Sequence, residues 1–337
     1  SHATPRSLVQ IIGFVLGWVT IHLAGPYGAP EAVAQNIPVA VTGFLENEPE
    51  VAAHGDQLVG VWYSYSPIRT KWGYSTNGGM SWTLGPDLPY NPGTQGLVGQ
   101  PSICVDDEGN FVIATVLGTT SGEALAAYRG TFQGASVVWQ GPILATPILD
   151  SFHPYDAPRL VCDRQRGHCY LAYTRVRIPS TFTNFEHTIE LVCSLDRGMT
   201  WSAPVALSGS LSTSARLAVG PEGELYVAWV DYAVGSVVGR KSLDFGASFG
   251  PEFTVGPIHD NWGTTPPGWD QNVVRAHPGT YFSCGAPNAP SLAVDRTLGP
   301  RRGALYAVWT DHVTGSLSPS SGTSVGQEPN GFFANAT

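Results

Sequence analysis

Two arginines pose the first chemical question. Arg159 and Arg216 stand 57 residues apart, and each follows a Pro or Ala that opens an apolar run, Pro158-Arg159-Leu160-Val161 and Ala215-Arg216-Leu217-Ala218. A guanidinium is a planar fork that holds a carboxylate through two parallel hydrogen bonds, so two of them from equivalent places can converge on one anionic group. The same pair can equally be rim cations bonded to Asp156 or to backbone, an arrangement worth little energetically. Close by in the chain stand His153, Tyr155 and Asp156, and Tyr232 follows the second run. His153 and Tyr155 are expected beside the arginines as ligand contacts. Asp156 has the chemistry of an acid/base and Tyr232 that of a nucleophile. Nothing in the sequence pairs those two, so binding and catalysis both stay open.

The elements that must position these residues are legible in the composition. Of the 337 residues only 13% are charged, 42% are hydrophobic, and Gly and Pro number 40 and 27. A chain this apolar and aromatic is not disordered. Exposed helix formers such as Lys and Glu are scarce, which argues for turns and strands over long helices. The 26 acids outnumber the 17 bases, so a nucleic-acid partner is excluded: a phosphate footprint needs clustered cations.

One apolar pattern recurs five times, in Pro49 to Trp62, Pro101 to Ala114, Pro158 to Tyr173, Ala215 to Trp229 and Pro290 to Trp309. Each copy reads as a strand, a turn carrying Gly109, Gly167, Gly223 or Gly303 in the last four, and a second strand ending near an aromatic. The starts are 52, 57, 57 and 75 residues apart, the last gap holding a Pro/Gly/Trp-rich stretch over residues 255–288. Units of this size, each a small antiparallel sheet, are the blades of a β-propeller. The expected fold is all-β, with four-stranded blades, five of them visible and six in the complete protein.

A second motif sits later in the repeats. Ser75-Thr76-Asn77-Gly78-Gly79-Met80-Ser81-Trp82, Ser194-Leu195-Asp196-Arg197-Gly198-Met199-Thr200-Trp201 and Ser242-Leu243-Asp244-Phe245-Gly246-Ala247-Ser248-Phe249 share one spacing. Asp196 and Asp244 can accept backbone bonds that close a tight turn, Gly198 and Gly246 can take positive φ, and Ser75, Asn77, Gly79 and Trp82 hold the matching positions of the first copy. Trp82, Trp201 and Phe249 can wedge between sheets. The second repeat has only the degraded stretch Tyr128 to Trp139. The octapeptides resemble the Asp box, or BNR repeat, of the sialidase-like (neuraminidase superfamily) propellers of secreted bacterial type. The resemblance covers roughly residues 43–337. It implies that these Asp residues are structural, in the turn between third and fourth strands, away from the functional face.

The resemblance also implies a functional face built from loops entering each first strand and leaving each second strand. Those loops hold Glu48, Glu50, Tyr65, Arg69, His153, Tyr155, Asp156, Arg159, Arg175, Arg216, Asp231, Tyr232, Asp311 and His312. Sialidases place three arginines on the sugar carboxylate, with a Tyr nucleophile assisted by Glu and an Asp acid/base. This chain departs from that pattern. A third aligned arginine is missing, and Ile68-Arg69-Thr70 is out of place for the family's Phe-Arg-Ile-Pro. The expected function is therefore recognition of a glycan or anionic sugar. An exo-sialidase-type glycoside hydrolase is the alternative, and a structural or adhesion scaffold a second one.

Residues 1–34 stand apart. Arg6 precedes an uncharged apolar run from Leu8 to Gly25, and Ala32-Val33-Ala34 follows before Gln35. This reads as a secretory signal peptide, or else as a retained membrane anchor, the one route by which the chain would meet a membrane; a buried strand pair or helix is the lesser alternative. The remainder, 35–337, is then a secreted or cell-surface propeller, read as incomplete at its C-terminus. Cys162 and Cys169 flank a hairpin-like stretch and are expected either as a disulfide or as two small buried hydrophobes. No metal and no cofactor are expected: Asp106-Asp107-Glu108-Gly109-Asn110 reads as a hairpin turn rather than a calcium loop.

Overall fold

The computed structural model describes residues 8–11, 18–24, 37–41, 46–65, 67–90, 94–179, 186–258, 289–309 and 334–336. Asp311, His312, Cys284 and most of the 255–288 stretch lie outside them. Two compact units are distinguishable, one of Ser1–Leu149, Leu160–Cys169 and Ser194–Ser202, the other of Asp150–Arg159, Tyr170–Cys193 and Ala203–Thr337.

Every strand pairs with a neighbour in sequence. β1 (Leu8–Ile11), β2 (Trp18–Ala24) and β3 (Ile37–Val41) form a three-stranded sheet. Four-stranded sheets follow: β4 (Glu46–His54), β5 (Gln57–Tyr65), β6 (Ile68–Ser75) and β7 (Thr83–Leu84); then β8 (Thr94–Val105), β9 (Phe111–Thr119), β10 (Gly122–Gln133) and β11 (Ser136–Leu144). The next is β12 (Tyr155–Asp163), β13 (His168–Arg177), β14 (Glu186–Ser194) and β15 (Val205–Ala206), and after it β16 (Ser212–Val219), β17 (Leu225–Asp231), β18 (Ser236–Ser242) and β19 (Phe253–Pro257). A last sheet has β20 (Ser291–Val294), β21 (Leu305–Val308) and β22 (Ala334–Ala336). There is no helix among the described residues, and hence none long and apolar enough to cross a membrane. The five repeats each supply the first two strands of a sheet, as their spacing predicts. The segment read as a leader contributes β1 and β2, pairing Leu8 with Ala24 and Ile11 with Ile21.

Burial explains the strand pattern. All seven residues of β17 are buried, as are the first eight of β9, so these second strands are covered on both faces and need no polar alternation. At the outer edge, β7 and β15 are two exposed residues each, and an edge that short offers little template for pairing with another chain. Gly109, Gly167, Gly223 and Gly303 all carry positive φ in the turns between first and second strands.

The Pro/Ala repeat marker has a structural meaning. Opposite Trp62, Thr115 and Trp229 the pairing slips, so that Glu48-Pro49, Gln100-Pro101 and Ser214-Ala215 each face a single residue. This is a β-bulge, which bends a strand and re-aims its side chains. Glu48, Gln100, Ala157 and Ser214 all have φ between 47° and 60°, a left-handed conformation that costs a non-glycine residue about 1–3 kcal/mol. The residues just past it tie neighbouring first strands together. Glu50 Oε2 accepts from Ser102 Oγ (2.7 Å) and from the Ile103 amide (3.1 Å), and Ser102 Oγ in turn accepts the Leu160 amide (2.9 Å).

The three octapeptides fold alike, each between the third and fourth strands of its sheet. In each, the first Ser accepts the glycine amide at 2.8–2.9 Å, Gly79, Gly198 or Gly246. Asn77, Asp196 and Asp244 each accept the amide four residues on, at 2.8–3.0 Å. Trp82 and Trp201 donate their indole N–H to the glycine carbonyl at 3.1 Å. The glycine is required at Gly198, where φ is 82° and an added Cβ would lie 3.1 Å from Val112. Asp106 is filled in a comparable way by the amides of Glu108 and Asn110, the Asn110 side chain and Arg197, which makes that acidic run a turn.

The cysteines correct one expectation. Cys162 is bonded to Cys104 on β8, not to Cys169, which is a buried free thiol with its sulfur 3.5 Å from that of Cys162. Packing of β8 beside β12 makes a residue 58 positions away a better-placed partner than the one across the hairpin. In the chain-entropy account a loop of that length contributes about 4 kcal/mol.

Two outcomes follow for the turns. Asp196→Ala should lower stability by about 1–2 kcal/mol in denaturant unfolding and leave ligand binding by the folded protein unchanged. The Ser248 hydroxyl and amide, with Ser242, hold the Asp244 carboxyl down at about 2. Its contribution is therefore complete above the unfolded value near 3.9 and is lost as pH falls through about 2. Urea midpoints of the wild type should accordingly drop relative to Asp244→Asn between pH 5 and pH 2.

Candidate functional site

Arg159 and Arg216 occupy one structural position. Each is the second residue after a left-handed one, Ala157 or Ser214, on the first strand of its sheet. In the two preceding four-stranded sheets that place belongs to Glu50 and Ser102, which accept hydrogen bonds from the next strand. A guanidinium has only donors and cannot do this. Instead both arginines make the same turn back: Arg159 Nη1 donates to Pro158 O and Arg216 Nη1 to Ala215 O, each at 2.9 Å. Both side chains are part-buried and adopt one shared posture.

The other expected site residues divide. Asp156 carries charge felt by His187: burial lowers the imidazole below its ordinary value while Asp156 pulls it upward. The His187 amide donates to Ser210 O (2.8 Å), and the Tyr232 amide donates to the adjoining Leu211 O (2.9 Å). Asp156 and Tyr232 are thus both linked to the segment that enters β16, one through His187 and one directly. The Tyr232 ring packs against the apolar cluster of Ala228, Val230, Val237, Ala307 and Trp309. His153 is engaged locally, its Nδ1 lying 2.8 Å from the Asp150 carboxylate. Tyr155 is 5% exposed, with its ring edge-on to Tyr173 at 5.2 Å.

Sequence reasoning missed the group that Tyr155 packs against. Tyr173, fully buried, donates its hydroxyl to Glu190 Oε2 at 3.1 Å, and Arg175 Nε lies 2.7 Å from Glu190 Oε1. Burial first, and then the Glu190 charge, push the Tyr173 phenol far above its usual range. The phenol therefore holds its proton at rest, with the Glu190 carboxylate in reach as its acceptor. Two features of the sequence point to this cluster. Tyr173 stands where the first and fourth repeats have Trp62 and Trp229, and its hydroxyl in such a buried place demands a partner. Glu190 is the one acid in the apolar stretch Ile189-Glu190-Leu191-Val192.

Arg69, expected on the functional face, is held by Asp87 together with Lys71, whose Nζ lies 2.8 Å from that carboxylate. The depression between Ile68–Thr70 and Asp87–Tyr90 has a volume of about 50 Å³.

No protein-family model and no curated protein matches the chain. Solved structures do match. A Hadza microbial sialidase, Hz136, aligns over 87% of this chain and 61% of its own, at 14% identity and a TM-score of 0.51. The Penicillium chrysogenum α-L-arabinanase, solved with arabinobiose, aligns over 90% and 80%, also at 14% identity and 0.51. The fold is thus an all-β propeller of four-stranded antiparallel blades, sialidase-like in architecture. The chain spans about 61% of the length of that sialidase.

Tyr173→Phe tests the buried cluster. It leaves Glu190 Oε2 without its donor at a site 9% exposed, and should cost about 1–3 kcal/mol in urea unfolding.

Proposed function

We propose that this propeller recognises a glycan, through an anionic sugar whose carboxylate is held by Arg159 and Arg216. The observation that carries the reading is the repeated left-handed residue that sets both arginines at one position of consecutive first strands. A fixed pair of forks suits a planar carboxylate better than any neutral group. The glycan part draws support from the fold, which is shared with a sialidase and with an arabinanase. Recognition ranks ahead of hydrolysis because a third aligned arginine is missing from the sequence and the Tyr232 ring packs on an apolar cluster.

The second reading is an exo-sialidase-type hydrolase with Asp156 as acid/base. The Tyr173–Glu190 contact favours it, since a carboxylate in that place can take a phenol proton; Tyr232 is the other nucleophile open to it. Calorimetric titration with a sialic-acid-terminated oligosaccharide and its neutral counterpart separates the cases. Arg159→Ala and Arg216→Ala should each weaken the acidic sugar at least tenfold and the neutral one hardly at all. Equal loss for both sugars overturns the site. Release of sialic acid from an aryl sialoside, abolished by Tyr173→Phe, would establish the hydrolase, and no binding of any sugar would leave a scaffold.

The reading includes export, with residues 1–34 as the leader. It rests on Arg6, the apolar run and Ala32-Val33-Ala34. The mature chain should begin at Gln35 on N-terminal sequencing of secreted material, and a secreted chain retaining residues 8–24 would refute it.

A further inference from the structure

The core of the first unit holds three sulfurs where a disulfide needs two. Cys104, Cys162 and Cys169 lie on β8, β12 and β13, all buried, with their sulfurs within 4.8 Å of one another. Cys104 and Cys162 are bonded, and the Cys169 thiol stands 3.5 Å from Cys162. That thiol is only 1% exposed, and its one other polar neighbour of note is the Gly167 carbonyl at 3.9 Å. A free thiol in contact with a disulfide sulfur has the reactants of an exchange reaction already assembled, so neither diffusion nor an outside reagent is required.

We propose that Cys104, Cys162 and Cys169 form a thiol–disulfide exchange site, in which one disulfide occupies two alternative positions. Cys169 gives up its proton to solvent base and its thiolate attacks Cys162 Sγ. The Cys162–Cys169 bond forms as the Cys104–Cys162 bond breaks, and Cys104 leaves with the electron pair and takes up a proton. The number of thiols and disulfides is unchanged, so no oxidant or reductant enters. The two forms differ in what they staple. Cys104–Cys162 joins the first strands of two sheets and closes a loop of 58 residues, whereas Cys162–Cys169 spans seven within a single hairpin. The first form therefore restrains the unfolded chain more and should melt at the higher temperature.

The exchange is slow at neutral pH. Burial, then the charges of Asp106 and Asp196, push the Cys169 thiol up to about 12, outweighing Arg197 and Arg129, which act the other way. Only the thiolate attacks, so the rate should rise about tenfold per pH unit below that value. The site thus stores one pairing and releases it as the thiol is deprotonated.

Disulfide mapping tests this on the whole chain. Trypsin cutting at Arg159, Arg164 and Arg166 places Cys162 and Cys169 on separate peptides, so the two pairings give different masses. Wild-type protein incubated at pH 9, acid-quenched and alkylated should yield both pairings, while protein kept at pH 5 should yield mainly Cys104–Cys162. Cys104→Ser, treated with oxidised glutathione, should form Cys162–Cys169 as an internal disulfide. Absence of that pairing from wild-type protein after days at pH 9 would overturn the proposal. So would two free thiols in oxidised, folded Cys104→Ser; were that variant unable to fold, the wild-type mapping alone decides.

Discussion

The structure depends on a repeated conformational cost. Near the start of four first strands, one non-glycine residue is held at positive φ, and in three of these sheets the pairing shows two residues facing one. The conformation is unfavourable by itself and persists because both sides of it are pinned. Thr115 Oγ1 donates to the Gly99 carbonyl at 2.8 Å beside the bulge of β8, and beyond it Ser102 is hydrogen-bonded in both directions. The bulge re-aims whatever follows it. In two sheets that residue is an acceptor that ties sheet to sheet; in the next two it is an arginine, which cannot accept and turns back on the carbonyl of the residue before it. One backbone device thus serves cohesion in one unit and presents cations in the other.

Much of this was legible in the sequence, for a physical reason. Pro49, Pro101 and Ala215 recur at the second bulge position and Pro158 at the matching place after left-handed Ala157, and the spacing between them is a sheet's length of chain. The octapeptides were legible because their bonds are local: Ser194, Asp196 and Thr200 satisfy one another within seven residues, so the motif carries its own geometry. What stayed hidden was whatever depends on two distant strands meeting. Cys162 stands seven residues from Cys169 and 58 from Cys104, and spacing alone favours the near partner. Glu190 stands out as the one acid in Ile189-Glu190-Leu191-Val192, but its partners Tyr173 and Arg175 lie on another strand, so the sequence shows the acid and not the cluster.

The buried polar group on the third four-stranded sheet bears on function through its protonation state. A phenol, a carboxylate and a guanidinium together resemble the ingredients of nucleophilic catalysis, yet ingredients do not settle direction. Arg175 neutralises the carboxylate, and burial disfavours phenolate more than any nearby cation favours it. The arrangement satisfies three polar groups, two of them buried, within one sheet. Rigid support of this kind is what orients a binding residue; a group that must ionise in turnover needs a different environment.

Strand order has a further consequence, for biosynthesis. Each sheet is a meander of sequence neighbours, so every backbone ladder closes between segments made one after the other. As the chain emerges from a ribosome or translocation pore, a sheet can complete its pairing once its own segment has cleared, without waiting for a distant strand. The strands with the longest unbroken buried runs, β9 and β17, are second in their meanders and acquire their second neighbour within the following dozen or so residues. Their exposure as unpaired, aggregation-prone segments is correspondingly brief.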